Sequence, residues 1–196
     1  LHDIWHSFPT RRSSDLVLRT AFQGMYEMEQ QMLDLYDKMG DATPEELDKM
    51  MNTVGEIQSE LEHSGFYSLD AKIEEVANGL GLGSVGLDRD VADLSGGQRS
   101  KVLLTKLLLQ NSNILLLDEP TNYLDVEHIE WLTKFLQNYE HAFILISHDI
   151  TFLNNVVNVI YHLENSNLTR YTGDYNRFQE MYAIYKSQQE AAYERQ

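Results

Sequence analysis

Three short stretches of this chain carry residue types suited to phosphate chemistry, and they occur in a working order. Residues 94–98 read LSGGQ, residues 114–125 read ILLLDEPTNYLD, and residues 147–149 read SHD. Asp118 and Glu119 close an apolar run that reads as a strand, and in an open α/β sheet ligands bind at the carboxyl ends of strands. One carboxylate there can offer oxygen to a hard cation, and another can accept a proton from a nucleophile within hydrogen-bond reach. Taken alone, the pair is equally an acidic turn stopped by Pro120. Ser95, Gly96, Gly97 and Gln98 fit the S-x-x-Q capping box that starts many helices. The two readings of that segment agree, because a capped helix start with two glycines presents bare N–H groups and a positive dipole end to an anion. His148, taken alone after a strand, is a surface or capping residue.

The wording, order and spacing of the three stretches resemble the second half of an ATP-binding cassette nucleotide-binding domain. That resemblance implies an α/β, P-loop NTPase-like fold, incomplete here, with a helical subdomain and a mostly parallel sheet flanked by helices. It also implies ATP and Mg²⁺ as cofactors: Asp118 holds the ion through water, Glu119 polarises the water that attacks the γ phosphorus, and His148 is the switch histidine that contacts the γ phosphate. Ser95, Gly96, Gly97 and Gln98 would act in trans, on ATP held by a second cassette, and Asp125 corresponds to the D-loop aspartate that couples the two sites. A cassette of this kind opens with a GxxxxGK[ST] loop whose N–H groups and lysine hold the phosphates. No such stretch occurs in the 196 residues, so the chain alone is expected to be inactive and its intact parent to be the ATPase. Gln23 is the nearest candidate for a γ-phosphate-sensing glutamine, but it sits within an amphipathic helical pattern and is left unassigned. His128, His141 and His162 match nothing in the family and read as structural.

Within the cassette proteins, DEPTNYLD resembles the wording of the soluble, twin-cassette ABC-F family, whereas transporter subunits commonly read DEPTSALD. The ending YTGDYNRFQEMY resembles the ABC-F element in which the chain enters a long helix, and that helix turns polar over residues 186–196 as an inter-cassette linker would. The resemblance implies a second cassette of the same chain and the ribosome or tRNA as partners, without membrane insertion. The alternatives are the ATP-binding subunit of an ABC transporter and an inactive fragment. Ile150, where SHDR is common, and Ser100 with Lys101, where more arginine is usual, depart from the pattern without touching the proposed chemistry.

These motifs need elements to position them. Residues 6–16 read HSFPTRRSSDL, which resembles a translated sequencing adapter, so residues 1–16 are treated as a foreign or disordered segment. Over residues 17–40, Phe22, Met25, Met28, Met32, Leu35 and Met39 recur at helical spacing. A second helix starts at Thr43 with proline behind it and Glu46 completing a capping box, and runs to His63. A third spans residues 68–78 and stops at Gly79. Residues 81–86 spell GLGSVG, a literal G-x-G-x-x-G, but they follow a helix instead of a strand and read as a loop. After residue 111, runs at 114–117, 143–146 and 156–163 read as strands or strand-containing segments, with helices over 127–138 and 149–155. Continuous Ile and Leu runs predict strands buried on both faces. The aromatic stripe Tyr171, Tyr175, Phe178, Tyr182 and Tyr185 then marks a final helix. Four segments result: 1–16, a helical subdomain over 17–92, the C-terminal part of the ATPase core over 93–173, and a helix leading to a linker over 174–196.

Composition narrows the class further. A hydrophobic share of 42% with 23% charged residues is ordinary for one globular domain. No apolar run approaches the ~20 residues that cross a bilayer, and the start lacks a secretory pattern, so a cytoplasmic location is expected. Zero cysteines exclude disulfides and thiolate metal sites. A net charge of −16 argues against a broad electrostatic grip on nucleic acid, so any RNA contact must be local.

Overall fold

Local capping chemistry starts several of the helices of the first half. A computed structural model of the chain describes residues 13–193, and it divides at Ser112 and Asn113 into two units. In the first unit, α1 (Ser14–Arg19) is capped by Ser13, whose side chain accepts the Leu16 N–H. The N–H groups of Ser14 and Asp15 donate to the carbonyls of Arg89 and Leu87, both at 2.9 Å, which pins this start to a neighbouring loop. Residues 13–16 of the stretch read as foreign or disordered are thus built into ordered structure; residues 1–12 lie outside the described residues.

A 3₁₀ turn (Thr20–Phe22) leads into α2 (Gln23–Met39), which pairs with α3 (Pro44–His63) as a helical hairpin. Thr43 and Glu46 form the expected capping box, with Glu46 Oε2 accepting the Thr43 N–H at 2.9 Å and its hydroxyl at 2.6 Å. The stripe Met25, Met28, Met32, Leu35 and Met39 faces inward only in part, because two helices alone cannot enclose it, and α2 has no fully buried residue. The core of this unit forms instead among α1, α4 (Leu69–Gly79) and α5 (Gly96–Leu109), from Val17, Leu18, Ile73, Ala77, Leu80, Leu82, Val102 and Leu108. The turn after α4 places Gly81, not Gly79, in the left-handed region at φ 78°, where a Cβ is costly. Because α5 packs on α1 and α4, residues 93–112 belong with the helices, so the boundary expected near residue 92 lies at 112.

The second unit is a mixture of helix and sheet. Strands β1 (Ile114–Asp118) and β2 (Ala142–Ile146) pair in parallel, with Leu116 opposite Ile144 and Asp118 opposite Ile146, joined through α6 (Val126–Gln137). After α7 (Ile150–Val156), β3 (Val159–Glu164) and β4 (Asn167–Thr172) form an antiparallel hairpin. Its turn residues Asn165 and Ser166 both have positive φ, the requirement of a tight hairpin turn. The last helix, α8 (Tyr175–Tyr193), lays Phe178 against Tyr171 at 5.0 Å between ring centroids, and Tyr182 against His162 at 4.7 Å. The fold is the expected α/β class, but among the described residues the strands form two separate two-stranded sheets, the parallel β1–β2 pair and the antiparallel β3–β4 hairpin. Burial of these strands on both faces does not hold: Leu115 and Leu117 are buried, but Leu116 is 65% and Ile144 61% exposed. Alternating strand residues point to opposite faces, and only one face is covered by the described residues.

Candidate functional site

The LSGGQ segment lies at the start of α5. Ser95 is extended, at φ −63° and ψ 162°, so its side chain can turn back over the first helical turn. Its hydroxyl oxygen accepts the Gln98 N–H at 3.3 Å, while Gln98 Oε1 accepts the Ser95 N–H at 2.9 Å. Gln98 therefore commits its carbonyl to the cap, and Ser95 keeps its O–H to donate. A Cβ added at Gly96 would meet nothing within 4 Å, so the space above this turn is open. Arg99, which the sequence reading passed over, donates through Nε to the Leu94 carbonyl at 3.0 Å and through a terminal nitrogen to the Ala92 carbonyl at 2.9 Å. It braces the loop that delivers Ser95; a lone arginine after a glycine pair gave no signal for that task.

In the second unit, parallel pairing brings the ends of β1 and β2 side by side. Asp118 ends β1 with an exposed carboxylate. Glu119 extends the ladder by donating its N–H to the Ile146 carbonyl at 2.8 Å, but at φ 47°, a left-handed conformation that a glutamate adopts only under constraint. Its carboxylate is 20% exposed and turned toward residues 147–149. Oε2 accepts the main-chain N–H of His148 at 3.2 Å. Oε1 lies 3.4 Å from His148 Nε2 and is buried without a hydrogen-bond partner among the described residues. The His148 imidazole is 97% exposed. A buried acceptor left without a hydrogen bond costs free energy, and a water O–H has the chemistry to satisfy it. Asp125 precedes α6 with an exposed carboxylate that makes no cap bond, so its charge is not consumed by the helix start.

The structure thus brings Glu119 and His148 together, sets Asp118 next in chain, and gathers Ser95, Gly96, Gly97 and Gln98 in one turn of the other unit. Gln23 donates to Glu27 at 2.7 Å on the surface of α2, in keeping with its being left unassigned. His162 is packed among aromatic rings and His141 lies edge-on to Tyr139. GLGSVG is a turn after α4, as expected of a loop.

Comparison with known proteins adds four findings. The profile of the ABC transporter family matches residues 12–122. The ABC transporter ATP-binding protein YfmM of Bacillus subtilis (strain 168) is 61% identical over 180 residues, which cover 92% of this chain and 35% of that protein. The probable ATP-binding protein YheS of Escherichia coli (strain K12) is 39% identical over 145 residues, 74% of this chain and 23% of its own. The energy-dependent translational throttle protein EttA of Mycobacterium tuberculosis (strain ATCC 25618 / H37Rv) is 40% identical over 133 residues, 68% of this chain and 24% of its own. The chain therefore spans between 23% and 35% of the length of these relatives.

Proposed function

This chain belongs to the ABC transporter family of ATP-binding domains, and from that membership we propose that it is the later part of an ATP-hydrolysing cassette of the ABC-F type. The observation that carries hydrolysis is the divided carboxylate of Glu119. One oxygen is anchored by the His148 N–H, and the other is buried with no hydrogen-bond partner among the described residues. An acceptor so placed can take the proton of a water as that water attacks phosphorus, the task of a general base. The exposed imidazole of His148 lies 3.4 Å from that oxygen, and in this reading it would contact the γ phosphate and orient the attacking water.

Mg²⁺ bound with the nucleotide would neutralise charge on the phosphate oxygens. Asp118 would hold it, through water. Among the described residues no three His, Asp or Glu side chains gather as a metal cage. A single exposed carboxylate suits an ion whose other ligands are phosphates and waters. Ser95, Gly96, Gly97 and Gln98 would donate O–H and N–H groups to the γ phosphate of ATP held by a second cassette, and Asp125 would help couple the two sites.

The ABC-F reading, with the ribosome or tRNA as partner and a cytoplasmic location, is supported by DEPTNYLD, by YTGDYNRFQEMY and by the relative named as a translational throttle protein. No helix among the described residues is long and apolar enough to cross a membrane. Co-sedimentation of the full-length protein with ribosomes in the presence of ATP tests this. Recovery with a membrane-embedded partner instead would make it a transporter subunit.

A further inference from the structure

Glu119 and His148 are far apart in sequence, and the 97% exposed imidazole of His148 is not fixed by packing. The main chain of His148 is fixed, from both sides. On one side Ile146 ends β2, pairs with Asp118, and accepts the Glu119 N–H at 2.8 Å. On the other side Asp149 caps α7: its Oδ1 accepts the Phe152 N–H at 2.9 Å, and its own N–H donates to Ser147 Oγ at 3.1 Å. Phe152 is 1% exposed, so this cap is tied to the core of its unit. The His148 N–H, held between these two points, meets Glu119 Oε2 at 3.2 Å.

We propose that Asp149 is a positioning residue for hydrolysis: by capping α7 it fixes the backbone of residues 147–149, so that the His148 main-chain N–H holds one oxygen of Glu119 and leaves the other for water. This rests on the reading of Glu119 as general base. Loss of the cap lets the peptide at His148 turn, and Glu119 is freed from the place where its open oxygen meets the nucleophile. Misplacement of a reacting group on this scale costs about one to two orders of magnitude in rate.

The test is steady-state and single-turnover ATP hydrolysis by the full-length protein. Asp149→Ala should lower kcat about tenfold with the KM for ATP within about twofold. Asp149→Asn and Asp149→Ser, which still cap, should recover to within about threefold of wild type. The main-chain N–H survives in His148→Ala, so Asp149→Ala should cost a further factor of about ten in that background; no further loss there would mean that Asp149 acts through the ring, and would overturn the proposal. Failure of the capping replacements to restore kcat would also overturn it. Thr43→Ala, a cap lost on the helical hairpin of the other unit, should lower the melting temperature without changing kcat; if it slows hydrolysis as much as Asp149→Ala, the effect is one of general stability and the proposal falls. Glu119→Gln run alongside separates the remaining failures. A normal rate there overturns the base assignment and this inference with it, whereas slow Glu119→Gln with normal Asp149→Ala overturns this inference alone.

Discussion

At the scale of single residues, Glu119 carries two unusual features at once: a left-handed backbone at φ 47° and a buried carboxylate oxygen without a hydrogen-bond partner among the described residues. Each is a cost, and both are met at the residue read as the base, which is where strain is commonly held. Glu119→Gln keeps the shape but cannot accept the proton, so hydrolysis by the full-length protein should slow about 10²-fold or more, the scale of losing a general base, with ATP retained. Single-turnover kinetics with labelled ATP would check this, and unchanged turnover would remove Glu119 from the mechanism. Ser95 separates two roles in a similar way. Ser95→Asp keeps an oxygen for the Gln98 N–H, and so keeps the helix start, but sets a negative charge where a phosphate would come. Melting should stay within a degree or two of wild type, about what a cap-for-cap exchange allows, while hydrolysis is lost. Equal loss of both would mean that Ser95 is a cap and nothing more.

The helices show which parts of the fold are legible in a sequence. Thr43 with Glu46, and Ser95 with Gln98, act over three residues, so their boxes could be read directly and appear in the structure. Strand β4, reading NLTRYT, offered no apolar alternation and went unrecognised, although the Asn165 and Ser166 turn marks it. The Glu119 contact with the His148 main chain joins residues 29 apart, and nothing local announces it. Arg19 is a further case: its guanidinium reaches Asp15, Tyr26 and Asp70, each at 2.7 Å, and so links α1, α2 and α4. The Asp15 bond first, with the other two, holds that group further above its ordinary range. The network is partly exposed, so Arg19→Met should destabilise by only about 1 to 2 kcal/mol, as read from denaturant unfolding. At α3, hydrogen bonds from the Thr43 hydroxyl and N–H hold Glu46 below its ordinary value of 4.5. A carboxylate with a depressed folded-state pKa stabilises fully above its unfolded value and loses that contribution as pH falls through the folded one. The melting advantage of wild type over Glu46→Ala should therefore be present at pH 6 and shrink steadily below about 4.5. A difference independent of pH would show that the capping box does not depend on the charge.

For the molecule as a whole, the division at Ser112 and the exposed face of β1 and β2 set what the chain can do by itself. Ile114, Leu116, Ile144 and Ile146 lie on one side of a parallel pair, all more than half exposed. A contiguous apolar surface of that kind drives association in water, so the 196-residue chain should self-associate with rising concentration. Replacing Leu116 and Ile144 by threonine, which keeps strand propensity, should shift sedimentation profiles toward monomer; unchanged profiles would place the association elsewhere. Nucleotide affinity follows from the same inventory. The residues proposed to meet ATP in this chain are Asp118 through an ion, Glu119 and His148 at the γ phosphate, and a capped helix start acting on another cassette's nucleotide. None grips the β and γ phosphates of its own ATP as the N–H groups and lysine of a GxxxxGK[ST] loop do, and that loop is absent from the sequence. Calorimetry of the chain with ATP and Mg²⁺ should show no saturation below about millimolar, little more than 4 kcal/mol of binding free energy. A micromolar dissociation constant would mean that these residues hold the nucleotide unaided, and would overturn the division of labour proposed between the phosphate loop and the residues that act on the γ phosphate.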